Sequence, residues 1–122
     1  MEFQPNVPIW LQISTMIKSD IVSGKIAPGS KLPGGRDLAV KYSINPNTAA
    51  RVYQKLEQEG VCETRRGLGT FVTGDTDRIA ELRSEMAHLF LRDIMKHMRA
   101  FGIEKEELIR MLEEEDEHAQ EQ

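Results

Sequence analysis

Few side chains in this sequence stand at spacings that act on a substrate. Asp93 and His97 are four apart, the spacing at which one helix face presents two metal ligands, but His88 falls on a different face and no third ligand stands near them. Cys62, the single cysteine, lies in a β-prone run and reads as a small strand residue; a redox role requires exposure and a lowered pKa. Gly67-Leu68-Gly69 has the glycines of a phosphate loop, yet a β-prone run follows it, whereas such loops open helices. The acids of Glu113-Glu114-Glu115-Asp116-Glu117 read as a solvated helix face. No Ser/His/Asp or Cys/His set has a supporting motif, so the sequence predicts no catalytic site, metal or cofactor. The remaining chemistry is recognition. Arg36, Asn45-Pro46-Asn47-Thr48, Arg51 and Arg65-Arg66-Gly67 are the residue types that hydrogen-bond base edges and neutralise phosphates.

Composition bounds what can position them. The chain has 122 residues, about one small domain or two miniature units. Its net charge of −4 argues against a polyanionic partner until it is divided along the chain. Residues 1–74 carry nine bases and six acids (+3); residues 75–122 carry seven bases and fourteen acids (−7). A phosphate feels the patch within a Debye length of about 8–10 Å, not the total. Charge alone favours nothing beyond two ordinarily charged halves. No run approaches the ~18–20 apolar residues of a membrane span. Met1 to Gln4 carry no basic stretch and lead into no signal-like apolar core, and a lone cysteine excludes an internal disulfide. The expectation is a cytoplasmic protein. A chain of this size buries only ~60–70% of its unfolded surface, so dimerisation would help it.

The elements follow from periodicity. Ile9, Ile13, Ile17 and Ile21 mark one helix face, with Trp10 and Met16 beside it. Trp10 is expected in the core or at a subunit contact because it borders this stripe. Gly24 ends the helix and Pro28-Gly29 turns the chain. Lys31-Leu32-Pro33-Gly34-Gly35 is too short for more than a bridge of strand. A short second helix spans residues 36–42 with Leu38, Ala39 and Tyr42 turned inward, and Ser43-Ile44 is a tight connection. Asn45 at the N-cap and Pro46 at the first helical position start a third helix, which runs to Glu59 and is closed by Gly60. Ala49, Val52, Tyr53 and Leu56 share its inner face; Asn47, Arg51 and Gln54 lie roughly opposite. Residues 61–64 and 70–73 are β-prone and joined by a glycine-containing loop, which predicts a hairpin. From Thr76 a long helix carries Ile79, Leu82, Met86, Leu89, Phe90, Ile94, Met98 and Phe101 at steps of three and four. Gly102 breaks it. A last helix from Ile103 carries Leu108, Ile109 and Leu112 and dissolves into the acidic run, a frayed and solvated tail.

The predicted fold is therefore mainly α with a small β-hairpin. Residues 1–75 form a winged helix-turn-helix, and residues 76–122 form an antiparallel helical dimerisation segment. The third helix is built to enter a major groove N-terminus first, where its dipole and free N–H groups favour phosphate. Arg51 lies a turn further along its outer face, and Arg65 and Arg66 stand at the hairpin tip.

The stretch from Pro8 to Val72 resembles the DNA-binding domain of the GntR family of bacterial transcriptional regulators. The resemblance is carried by Ile9-Trp10-Leu11-Gln12-Ile13, by Gly24 with Pro28-Gly29-Ser30-Lys31-Leu32-Pro33, and by Arg36-Asp37-Leu38-Ala39. It continues through Asn45-Pro46-Asn47-Thr48, Tyr53-Gln54-Lys55-Leu56-Glu57, Glu59-Gly60 and Gly67-Leu68-Gly69-Thr70-Phe71-Val72. The short two-helix tail resembles the YtrA subfamily, which implies subunit pairing through the tail and control of a neighbouring transporter operon. The resemblance implies that Arg36 reads a base or clamps a phosphate, that residues 45–48 begin the recognition helix, and that Arg66 and Gly67 are the wing tip. One position departs from the family. Gly34, followed by Gly35, stands where a helix-capping serine is usual, so a phosphate contact there falls to backbone N–H groups.

The expected partners are double-stranded DNA and a second copy of the chain. The tail stripe, with Leu108 and Leu112, would form the seam, since a monomer would expose it. Two-fold symmetry requires a pseudo-palindromic site with half-sites about one helical turn (~34 Å) apart, where a bound dimer would exclude polymerase as a repressor. Two other readings stay open. The winged domain could bind a protein partner, or a small-molecule effector could gate the dimer. A ligand cavity of ~300 Å³ fits better at a subunit interface than within two helices.

Overall fold

The isoleucine repeat winds into the first helix, and the rest of the chain follows in the predicted order. The computed structural model describes residues 5–120. Helix α1, Ile9–Val22, buries Ile13, Ile17 and Ile21. A four-residue repeat drifts by ~40° per step on a 3.6-residue helix, and Ile9, at one end of that drift, is 43% exposed. Helix α2, Gly35–Tyr42, starts one residue before the predicted position and buries Leu38 and Ala39; Tyr42 is only half-buried. Helix α3, Pro46–Gln58, buries the predicted face of Ala49, Val52, Tyr53 and Leu56. Both α1 and α2 pack on α3.

The turn between α2 and α3 closes on a left-handed residue. Ser43 has φ 53° and ψ 48°. Its N–H donates to the Val40 carbonyl (3.2 Å), and the Ile44 N–H reaches back to that of Ala39 (2.9 Å). These paired bonds satisfy the last carbonyls of α2. Among the described residues Ser43 is the only non-glycine at positive φ. The same pair of bonds ends α3, where glycine takes the left-handed position: Gly60 N–H to Glu57 (3.0 Å) and Val61 N–H to Leu56 (2.9 Å).

Strands β1, Cys62–Arg65, and β2, Gly69–Val72, pair antiparallel with Cys62 opposite Val72 and Arg65 opposite Gly69. The strands are thus shifted by one residue from the predicted runs. The predicted bridge of strand is present: Lys31 bridges Phe71, Leu32 N–H donates to Thr70 (2.8 Å), and Val72 N–H to Ser30 (2.9 Å).

Helix α4, Thr76–Ala100, is capped by Asp75, whose Oδ1 accepts from the N–H groups of Asp77 (3.0 Å) and Arg78 (3.2 Å). Arg78 Nε donates to the Glu59 carbonyl at 2.9 Å, tying α4 to the end of α3. The chain divides into two compact units, 1–83 and 84–122, which meet inside α4. The first unit keeps the opening turns of α4, including Leu82, which is 2% exposed. In the second unit α4 closes at Gly102 (φ 76°), with Gly102 N–H on Arg99 (3.0 Å) and Ile103 N–H on Met98 (2.8 Å). Helix α5, Lys105–Gln120, begins two residues after the predicted start at Ile103 and continues through the acidic run where the sequence predicts an end to the helix. Glutamate is a good helix former, and each like-charge pair at i,i+4 costs only about 0.2–0.5 kcal/mol. No helix among the described residues is long and apolar enough to cross a membrane.

A non-glycine residue in the left-handed region costs about 1 kcal/mol or more. Ser43→Gly is therefore expected to raise the melting temperature by about 4 °C or more, with duplex binding unchanged, as read by thermal denaturation alongside a binding titration.

Candidate nucleic-acid interface

Burial of one side of α3 leaves the other side open to solvent as the candidate reading face. Asn47, Ala50, Arg51 and Gln54 are exposed and Thr48 is half-buried. At the N-terminal end the Asn45 Oδ1 accepts the Asn47 N–H at 2.8 Å. The oxygen is thus occupied in capping, while the amide NH₂ points no bond at the described protein and remains a donor. Pro46 occupies the first helical position, as predicted. Tyr53 fixes the helix from behind: its hydroxyl donates to the Pro33 carbonyl. Burial raises the Tyr53 pKa above the ordinary phenol value, so the hydroxyl keeps its proton.

Arg36 lies in the first turn of α2, exposed. It forms no ion pair with Asp37 or with any other described residue. Together with Ala39, Val40, Ile44 and Pro46 it lines a shallow hollow of about 490 Å³. The fold therefore brings Arg36 to the start of α3, two elements that are separate in the sequence. The glycine at the α2 N-cap, Gly34, supplies no side-chain cap, and the space where its Cβ would stand is open.

The wing differs from the sequence expectation. Arg66, Gly67 and Leu68 make the turn, with Gly67 at φ 78°. Arg65 is not at the tip; it pairs with Gly69 in the strand register. Its guanidinium carbon lies 4.2 Å from the centroid of the Phe71 ring, and its Nε (3.2 Å) and Nη2 (2.7 Å) both donate to Glu63 Oε1. Strand alternation explains this. Residues 63 and 65 share a face, and Phe71 opposite Glu63 is the diagonal neighbour of Arg65. One cation, Arg66, remains at the tip without a partner among the described residues.

A second cation was not singled out from the sequence. Lys31 runs beside β2, and its side chain crosses Gly69 so closely that a Cβ there would fall 2.9 Å from Lys31 Cε. Gly69, at φ 116°, thus leaves room for a lysine at the wing. The pairing joins residues far apart in the chain, and the only sequence signal was the bridge-of-strand run itself.

Of the two places expected for Trp10, the core is not its place: it is half-buried on α1, because one position from the isoleucine stripe is a rotation of ~100°. The Arg51 guanidinium carbon lies 4.6 Å from the centroid of its ring. Cys62 is buried, and that burial, with Glu57 secondarily, pushes its thiol up to about 12, so no thiolate forms near neutral pH. Asp93 and His97 face each other at 3.7 Å, with the imidazole stacked on Phe101. The described residues hold no group of three or more side chains suited to a metal ion.

Of the apolar tail residues, Leu82 and Leu108 are already buried within the single chain, at 2% and 7% exposure. Both already pack within one chain. Ile79, Met86 and Met98 are half-buried. Leu89, Phe90, Ile94, Phe101 and Leu112 are exposed, as are Leu91, Ile109 and Met111.

The segment that carries the recognition helix and wing, residues 10–72, matches the family of bacterial regulatory proteins called gntR. The chain belongs to the GntR family. It is 38% identical over 108 residues to YhcF of Bacillus subtilis (strain 168), an HTH-type transcriptional regulator that is itself uncharacterised; the match covers 88% of this chain and 89% of YhcF. It is 34% identical over 110 residues to the HTH-type transcriptional repressor YtrA of the same organism, covering 89% and 85%. A GntR family regulator from Listeria monocytogenes superposes with a TM-score of 0.88 at 35% identity, over 92% of this chain and 98% of that one. The short tail is thus shared with full-length relatives. As a GntR-family member the protein is a DNA-binding transcriptional regulator and not an enzyme.

The two wing arginines are expected to behave differently. Arg66→Ala should lower the slope of log affinity against log salt by about 0.9, the loss of one phosphate contact, at unchanged melting temperature. Arg65→Ala should leave the slope unchanged and perturb the hairpin, which salt titrations of both variants on one duplex would separate.

Proposed function

We propose that this GntR regulator is a homodimeric repressor that acts in the cytoplasm at a pseudo-palindromic operator. The observation that carries the reading is the exposed, Asn45-capped end of α3 with the unpaired Arg36 beside it. In this reading α3 enters the major groove end-on. Asn45, Asn47 and Thr48 approach base edges and phosphates there, with the positive end of the helix dipole behind them. Pro46 sets the approach of the backbone. Arg36 lies between a guanine edge and the adjoining phosphate. Arg51 extends the outer face, and Arg66, with Gly67 allowing close approach, follows the backbone from the wing, joined by Lys31. Arg65 is left out of the contact set because it is ion-paired to Glu63, which offsets its charge and takes two of its five donors. Several cations on phosphates supply most of the affinity and a steep salt dependence. One Arg–guanine pair adds about 1–3 kcal/mol of discrimination.

Dimerisation is assigned to the second unit. Leu89, Phe90, Ile94, Phe101 and Leu112 are exposed there, with the half-buried Met86 and Met98 beside them. Large exposed apolar patches mark interaction surfaces. A two-fold pair would set two copies of α3 at half-sites about one turn (~34 Å) apart. YtrA, at 34% identity, is named a repressor, which supports that sign of regulation here. By the same resemblance the target is a transporter operon.

Selection of bound duplexes from a random pool is expected to return inverted half-sites. Recovery of asymmetric sites only, or of nothing at low salt, sinks the reading. For the dimer, Ile94→Asp is expected to convert the full chain from dimer to monomer in sedimentation at micromolar concentration and to weaken operator binding. A wild-type chain that sediments as a monomer would contradict the assignment.

A further inference from the structure

We propose that Trp10 is a positioning residue that holds Arg51 ready for the duplex, resting on the reading that the outer face of α3 enters the groove. The two stacked arginines of this protein make the case by contrast. Arg65 lies over Phe71 and is ion-paired to Glu63 through its Nε–H and one Nη2–H. That arginine is a structural brace of the hairpin. Arg51 lies over Trp10 at 4.6 Å, and no described carboxylate takes its donors. Stacking engages only the face of the guanidinium, while its five N–H donors radiate from the edge in the plane. An arginine clamped in this way loses rotamer freedom and keeps its hydrogen-bonding capacity. That combination is what bidentate recognition of a guanine edge or a phosphate requires.

The platform is itself fixed. Trp10 lies in the first turn of α1, where the fully buried Ser14 donates to its carbonyl at 2.7 Å. Helix α1 packs on α3, which keeps the tryptophan backbone beside that helix. Trp10, Arg51, Gln54, Lys55 and Gln58 line one hollow of about 200 Å³. Lys55 is drawn toward Glu59, at 3.5 Å, which leaves Arg51 as the cation of that hollow with no acidic partner among the described residues. Helix α1 thereby gains a part in recognition without touching DNA.

The experiment uses the full chain, a duplex recovered by selection, and a random-sequence duplex of equal length. Arg51→Ala is expected to weaken binding about tenfold. Trp10→Leu, which keeps apolar bulk and removes the π face, should weaken it about threefold or more. Trp10→Phe should recover most of that loss. The double variant Trp10→Leu/Arg51→Ala should bind no worse than Arg51→Ala alone, because the tryptophan acts through the arginine. If the loss appears only on the selected duplex, Arg51 reads a base. If it appears on both and the salt slope falls by about one, Arg51 holds a phosphate. Trp10 is the single tryptophan, so its emission is a second readout, and in the absence of duplex it also reports whether Arg51→Ala keeps the wild-type fold. Duplex addition should shift emission in the wild type and not in Arg51→Ala. Multiplicative losses in the double variant, or full affinity in Trp10→Leu, overturn the positioning role. Full affinity in Arg51→Ala overturns the contact itself, and failure of the wild type to bind any duplex overturns the functional reading beneath it.

Discussion

The outward face of α3, the candidate reading face, depends on the burial of one stripe of that helix. Ala49, Val52, Tyr53 and Leu56 are at most 8% exposed, held between α1 and α2. A helix locked on one side has no freedom to rotate, so the opposite side must face solvent. Each fully buried aliphatic side chain contributes about 1.5–3 kcal/mol. The orientation of Asn47, Arg51 and Gln54 is therefore enforced by the core and needs no interaction of their own. The tie from Tyr53 to Pro33 adds a second constraint, since it links the helix to the segment just before α2. The same burial that stabilises the domain aims its recognition surface.

Helix identity, helix ends and the hairpin were legible because their causes are local. Asn45-Pro46 caps and starts a helix through groups within two residues of each other. Gly60 and Gly102 end helices because only glycine adopts the left-handed backbone without penalty. What the sequence did not reveal depends on pairs distant along the chain. Lys31 reaches the wing through its bridge to Phe71. Arg51 meets Trp10 across the α1–α3 contact. The ladder runs one residue pair further toward the turn than the predicted strands, which places Arg65 in β1 opposite Gly69 rather than in the loop. Periodicity assigns a residue to a face; it does not say which side chain from another element will lie on it.

A count of arginines and lysines is a poor measure of a nucleic-acid surface. The first unit contains cations in three conditions. Lys18 and Lys55 are paired with Glu59, and Arg65 with Glu63. Arg51 is stacked with its donors open. Arg36 and Arg66 are exposed, with no partner among the described residues. Only cations of the last two kinds can neutralise a phosphate without first breaking an ion pair, so the excess of three charges in residues 1–74 understates how selectively they are deployed. Glu59 is central to this sorting. It holds two lysines through its carboxylate and Arg78 through its carbonyl, which gathers α1, α3 and the opening of α4 at a point on the C-terminal side of the reading helix.

The second unit poses the opposite problem. Leu108 is its only buried apolar residue among those described. Ordering about 35 residues costs on the order of 1–2 kcal/mol each, and in proteins most helical stability comes from packing of an amphipathic face rather than from propensity. One buried leucine and one glycine-closed turn do not offset that. Yet the second unit presents Leu89, Phe90, Leu91, Ile94, Phe101, Ile109, Met111 and Leu112 on its surface, more apolar side chain than it encloses. A core that is missing from one chain and present in outline on its surface is what half of an obligate interface looks like. On that argument the proposed pairing of two chains would complete the core that one chain lacks, and the proposed symmetry on DNA would follow from a stability requirement of the second unit.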